Sequence, residues 1–191
     1  MLAEARASGL NARWAQADFE TWTAETPPDL VFANAALQWA ADPVAASVRL
    51  FAMLAPGGVL AVQAPQNFDQ PSHLSVRASV ESGPWREKLA DARQYDPGFA
   101  RGPGYARALA PLGAELDIWS SEYLHILEGA DPVFRWMSGT GLRPFLQRLD
   151  GAERDAFEAD VRARLAAAYP AESDGRTLFP FRRLFVVATR A

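Results

Sequence analysis

Few of the 191 residues could do covalent or metal chemistry. There is no cysteine, which removes disulfides, thiol nucleophiles and thiolate metal sites. The two histidines, His73 and His125, stand far apart in sequence, unlike the ligands of a zinc or non-haem iron centre. No Ser-His-Asp grouping or GxSxG elbow marks a nucleophile for acyl transfer. What remains is mostly arginine: of nineteen basic residues all but Lys88 carry a guanidinium, a planar fork that matches carboxylates and phosphates. The bias as a whole follows coding composition, so individual arginines must be judged by place. Tyr123 and His125 lie two apart in an alternating segment and would share one face of a strand. Asn34-Ala35-Ala36 closes an apolar run, the position where a sheet that binds a ligand at its carboxyl ends would hold it.

The elements that would carry these residues follow from the hydrophobic pattern. Asp29–Trp39, DLVFANAALQW, and Leu54–Gln63, LAPGGVLAVQ, each hold a short apolar run of strand character. Between them Asp42-Pro43 starts a helix, aspartate as cap and proline in the first turn, with Val44, Val48, Phe51 and Leu54 or Ala55 on one face. Strand, helix, strand is the parallel crossover unit. VLAVQ lacks alternation, as a strand buried on both faces should. Upstream, residues 2–8 read as a helix stopped by Gly9, and Arg13–Ala17, RWAQA, as a strand ending at Asp18. Residues 64–104 read as loop and short helices, and Tyr105–Leu112 as a helix closed by Gly113. Glu115–Ile126 is an antiparallel strand, Asp131-Pro132 opens a helix through Met137, Asp150 and Glu153 start another reaching Tyr169, and Leu184–Thr189 is a last strand. The predicted architecture is one α/β domain over 1–191. Its mostly parallel sheet ends in an antiparallel pair of strands, with a helical insertion over 129–183 between them. A net charge of −4 and a pI near 5.2 argue against nucleic acid. No run reaches transmembrane length and no signal peptide is visible, so a cytoplasmic monomer is expected.

ADF at 17–19, DLVFANAALQW, LAPGGVLAVQAPQN and DIWSSEYLH resemble the class I S-adenosylmethionine-dependent methyltransferases. WMSGTGLRPFL at 136–146 and the terminal RLFVVATR narrow the resemblance to the trans-aconitate 2-methyltransferase family, over essentially the whole chain. The resemblance implies a Rossmann-like fold and S-adenosyl-L-methionine as cofactor. It also implies methyl ester formation on a carboxylate of trans-aconitate; the alternatives are another small-molecule methyltransferase or an inactive fragment. Asp18 is similar to the family position that accepts a hydrogen bond from the adenine amino group, with Phe19 beside the ring. Asn34 and Ala35 resemble the stretch flanking the methylsulfonium, and Trp39 could add cation–π attraction there. No catalytic base is expected, because a carboxylate nucleophile is already ionised at neutral pH. Groups that hold a small polycarboxylate are expected instead: Arg143 first, by bidentate pairing, with Gln38, Gln63, Asn67, Tyr123 and His125 around it. Trp136 is expected to pack the insertion against the sheet, and Arg182 and Arg183 are further cationic candidates.

The family's glycine-rich cofactor loop and the acidic residue that holds the ribose hydroxyls have no match in the chain. The sequence-based expectation is therefore a methyltransferase domain without its first two strands. Such a chain would leave DLVFAN on an open edge, an aggregation hazard, and by itself is expected to be poorly soluble and not to bind cofactor.

Overall fold

A computed structural model describes residues 2–92 and 101–191. The sheet has four strands, β1 (Leu30–Asn34), β2 (Val59–Pro65), β3 (Ala114–Leu127) and β4 (Thr177–Arg190), in the order β1-β2-β4-β3. β1 and β2 run parallel, with Leu30 opposite Val59 and Asn34 opposite Gln63. β4 is antiparallel to both its neighbours and pairs with β3 along the full hairpin, from Thr177 opposite Leu127 to Arg190 opposite Ala114. The expected α/β architecture with an antiparallel terminal pair is therefore present. β4 begins seven residues before the apolar run LFVVAT that predicts it, inside the stretch assigned to the helical insertion.

Eight helices accompany the sheet among the described residues: α1 (Leu2–Ala7), α2 (Pro43–Ala52), α3 (Pro71–Ser82), α4 (Arg86–Leu89), α5 (Gly102–Leu109), α6 (Pro132–Ser138), α7 (Arg143–Leu146) and α8 (Gly151–Ala168). α2 is the crossover between the parallel strands. The Asp42 carboxylate caps it, accepting from the Ala45 amide at 2.9 Å, and Pro43 fills the first turn. Its buried stripe is Ala46, Leu50 and Phe51, with Val44 and Val48 at the margin. The turn into β2 needs glycine at Gly58, where a Cβ would lie 2.8 Å from the Ala55 carbonyl and 3.1 Å from that of Pro28.

Strand alternation sends β4's side chains into two separate cores. Leu184, Val186 and Ala188 join Leu60, Val62, α2 and α5. Phe179 and Phe181, of opposite parity, join α3, α4, α6, α7 and α8. One long strand thus clamps two helical layers to opposite faces of the sheet.

The strand expected at Arg13–Ala17 is not formed; those residues are irregular and exposed. A strand exists only by pairing, and β1, the nearest sheet edge, has no neighbour on its outer side among the described residues. The segment 18–22 is tied instead to α2, through Arg49 Nη1 donating to the Trp22 carbonyl at 2.6 Å and Arg49 Nη2 to that of Phe19. Residues 64–104, read as loop and short helices, contain the twelve-residue α3; part of that stretch lies outside the described residues.

Candidate active site

At the carboxyl end of β1 the chain turns through Ala35, which adopts a left-handed conformation (φ 49°) that residues with a side chain rarely take. Its amide donates to the Gln63 carbonyl at 2.9 Å, extending the parallel ladder by one bond before the chain leaves the sheet. A short 3₁₀ turn, Leu37–Trp39, follows. Gln38, 8% exposed, donates through Nε2 to the Ala35 carbonyl at 2.8 Å, while its Oε1 has no partner. A buried acceptor without a donor costs roughly 1–3 kcal/mol. A left-handed alanine beside an orphaned amide oxygen is strain that a ligand site explains.

These residues line a cavity of about 230 Å³ between the strand ends and the helices inserted between β3 and β4. Ala35, Gln38 and Trp39 form one part of its wall. Phe68 and His73 come from the β2–α3 connection and the first turn of α3, Trp136, Met137, Thr140 and Gly141 from α6 and the turn after it, and Phe181 and Arg183 from β4. No lining residue carries a carboxylate, and Arg183 is the one guanidinium among them.

Arg183 is held by its neighbours without being neutralised. Its Nη1 donates to Gln63 Oε1 at 3.0 Å, and its Cζ lies 4.8 Å from the Phe181 ring centre and 5.8 Å from that of Tyr123. No carboxylate among the described residues pairs with it. Gln63 is 6% exposed and keeps its Nε2 unpartnered. The fixed guanidinium therefore has free N–H donors for an anion, as bidentate recognition requires.

The expected site residues divide on these coordinates. Ala35, Gln38 and Trp39 line the cavity, Asn34 precedes them on the strand, and Gln63 and Tyr123 support Arg183. Five others are not brought to it. Asp18 is exposed and caps its own turn, accepting from the Glu20 amide at 2.8 Å, and Phe19 packs beside α2. Asn67 is 1% exposed, lies outside the cavity lining and engages both ends of its amide on the Arg182 backbone, at 3.0 and 2.7 Å. His125 is half-buried and packed among Trp136, Phe179 and Phe181, outside the cavity lining, with Nε2 unpartnered. Arg143 opens α7 as an exposed residue outside the lining, although Thr140 and Gly141 just before it take part. Trp136 packs α6 on the sheet as expected, 4.5 Å from Phe181 and 5.1 Å from Phe179 between ring centres.

That His73 lines the cavity was not legible in the sequence. It is a lone histidine on a weakly amphipathic helix, and the only hint was its place just beyond the carboxyl end of β2, where α/β sheets gather their ligands. Burial pushes its imidazole down to about 4, with the Arg77 guanidinium one turn on acting in the same direction and Asp69 opposing. Among the described residues no group of three or more His, Asp or Glu side chains could hold a metal, and no helix is long and apolar enough to cross a membrane.

No family model matches the chain. Individual proteins do. A trans-aconitate 2-methyltransferase of Streptomyces avermitilis is 45% identical over 182 residues, covering 95% of this chain and 67% of its own length. One of Azoarcus sp. is 43% identical over 190 residues, covering 100% of this chain and 74% of its own length. A third, of Streptomyces coelicolor, is 46% identical over 179 residues, 93% of this chain and 59% of its own length. Among solved structures, a putative methyltransferase of Bacillus halodurans superposes with a TM-score of 0.57 at 14% identity, over 98% of this chain and 76% of that one, which shows a shared fold. The fold is that of the class I methyltransferases, and by sequence the chain belongs to the trans-aconitate 2-methyltransferase family.

Proposed function

We propose that the cavity bounded by Ala35, Trp39 and Arg183 is an acceptor site for methyl transfer from S-adenosylmethionine to a carboxylate of trans-aconitate. The observation that carries this reading is the unneutralised Arg183 guanidinium, fixed by Gln63 and lining the same cavity as the strained turn at Ala35. The cofactor's methyl-bearing end suits this turn. Ala35 is small enough to let the backbone approach, Gln38 Oε1 is an orphaned acceptor, and Trp39, 40% exposed, offers a ring face that attracts a sulfonium cation by roughly 0.5–2 kcal/mol. When bound, S-adenosylmethionine supplies an electrophilic methyl on a positively charged sulfur. Asp18 and Phe19 do not line the cavity, so the fit concerns that end alone.

The protein's task is positioning. A carboxylate oxygen is ionised at neutral pH and needs no base. Arg183 anchors one carboxylate of the acceptor, and the aromatic wall of Phe68, Trp136 and Phe181 excludes water around it. Holding the reacting atoms in line can supply on the order of 7–11 kcal/mol of the barrier. The cytoplasmic, monomeric state expected from composition belongs to the same reading.

Transfer of a labelled methyl group to trans-aconitate, together with calorimetric titration by S-adenosylhomocysteine and by trans-aconitate, tests the assignment. Arg183→Ala is expected to weaken trans-aconitate about 10- to 100-fold, whereas Arg143→Ala changes it less than about twofold. The reverse order of effects would return the anchor to Arg143.

A further inference from the structure

The reading above leaves two polar side chains of the cavity, Thr140 and His73, without a role, and His73 is the one with a ring nitrogen free of protein partners among the described residues. His73 is in the first turn of α3, with its ring edge-on to Phe68 at 5.3 Å between centres. Nδ1 lies 3.3 Å from the hydroxyl of Ser72, which is 1% exposed. With that hydroxyl as the donor to Nδ1, the ring proton is on Nε2, the tautomer on which the inference below stands. The Ser72 amide in turn donates to the Tyr169 hydroxyl at 3.0 Å, which fixes the start of α3 against the end of α8. Nε2 has no protein partner among the described residues. Gly141 sits beside it: a Cβ there would lie 3.8 Å from Nε2, in ordinary van der Waals contact with the ring.

Both His73 and Gly141 line the cavity that Arg183 lines. Arg183 offers it a cation. His73, kept neutral by burial and by Arg77, offers a single uncharged N–H.

We infer that His73 Nε2–H is the second carboxylate-binding group of this site, so that a dicarboxylate is recognised by one guanidinium and one neutral imidazole donor. The inference rests on the cavity being the acceptor site. It deepens that reading by separating two tasks: Arg183 selects for negative charge, and His73 selects for a second carboxylate on the same molecule. A monocarboxylate held by Arg183 gains nothing from His73.

Calorimetric titration of the whole chain with trans-aconitate and with the monocarboxylate crotonate tests this on wild type, His73→Phe, His73→Gln and Arg183→Ala. His73→Phe keeps a ring against Phe68 and removes the donor. It should weaken trans-aconitate about tenfold or more and leave crotonate within about twofold. His73→Gln restores a donor near Nε2 and should recover most of the loss. In nitrogen NMR the Nε2 resonance should move on addition of trans-aconitate and stay in place with crotonate. The inference is overturned, with the acceptor-site reading intact, if His73→Phe binds trans-aconitate like wild type while Arg183→Ala does not. It is also overturned if His73→Phe weakens both ligands equally, which is the pattern of a structural residue. If neither Arg183→Ala nor His73→Phe alters binding, or wild type binds neither acid, the acceptor-site reading falls with it.

Discussion

Two phenylalanines on strands of one sheet meet opposite fates. Phe179 of β4 is 1% exposed and Phe32 of β1 is 69% exposed. Their local sequences, LFPF and LVFAN, are both apolar around the phenylalanine, and both lie in strands. The difference is the layer above them. Phe179 meets Trp136 of α6 and Tyr169 at the end of α8, with ring centres 5.1 and 5.2 Å away. Phe32, with Leu30 at 58% exposure on the same face of β1, meets no helix among the described residues, and β1 is the sheet's edge. A period-two apolar pattern therefore says which face a strand would bury, and burial follows only where another element covers that face. The candidate site obeys the same rule. Its walls form where β4 meets α6 and the turn after it, whereas Asp18 and Phe19, upstream of β1, are tied to α2 away from the cavity.

The comparison can be broken by substitution. Phe179→Ala should lower unfolding free energy by about 3–5 kcal/mol, the usual range for truncating a buried aromatic, measured by denaturant titration. A loss under about 1 kcal/mol would mean that the helical layer does not hold β4 as described. Asn67→Ala, which takes the side-chain acceptor from the Arg182 amide and one of two donors from its carbonyl, should cost about 1–3 kcal/mol by the same measurement. A variant as stable as wild type would free Asn67 for the ligand role expected of it.

The third test uses pH. The folded chain resists protonating His73 until about pH 4, whereas an exposed histidine titrates near 6.5. Between those values the unfolded chain binds the extra proton, so stability is full above about 6.5 and declines as pH falls toward 4. His73→Gln should flatten that decline; superimposable stability curves for the two proteins would place His73 in solvent. The smallest effect belongs to the bare region. Phe32→Ala should shift stability by less than about 0.5 kcal/mol, and Phe32→Lys should reduce self-association seen by light scattering, because a charge on an open edge blocks strand addition. A loss of several kcal/mol at Phe32 would show that β1 is covered in solution.

Several parts of the molecule were legible because their signals are local. Asp42-Pro43 starts a helix wherever it stands, since the cap and the first-turn proline act within four residues. The alternation of Glu115–Ile126 marks β3, and DLVFAN and VLAVQ mark a parallel pair. That Ala35, Gln38 and Trp39 gather beyond the carboxyl end of β1 was legible because that end is set by the strand itself. That Asn67, His125 and Arg143 fall outside the cavity lining was not legible, because nothing local states whether an amide will meet a backbone, a ring will be roofed by Trp136, or a guanidinium will turn outward.

By itself the sequence determined the strand–helix–strand unit, the antiparallel end of the sheet and, through DLVFANAALQW and GLRPFL, the family, since periodicity, caps and motifs are carried by neighbouring residues. Tertiary structure alone decided which arginine lines the cavity and that His73 joins it. Arg183 and Gln63 are 120 positions apart and meet only because β2 and β4 pair antiparallel. His73 and Gly141 meet only because α3 and the α6–α7 turn pack into one core. Contacts of that range depend on which faces are covered and by what, and no stretch of chain encodes that alone.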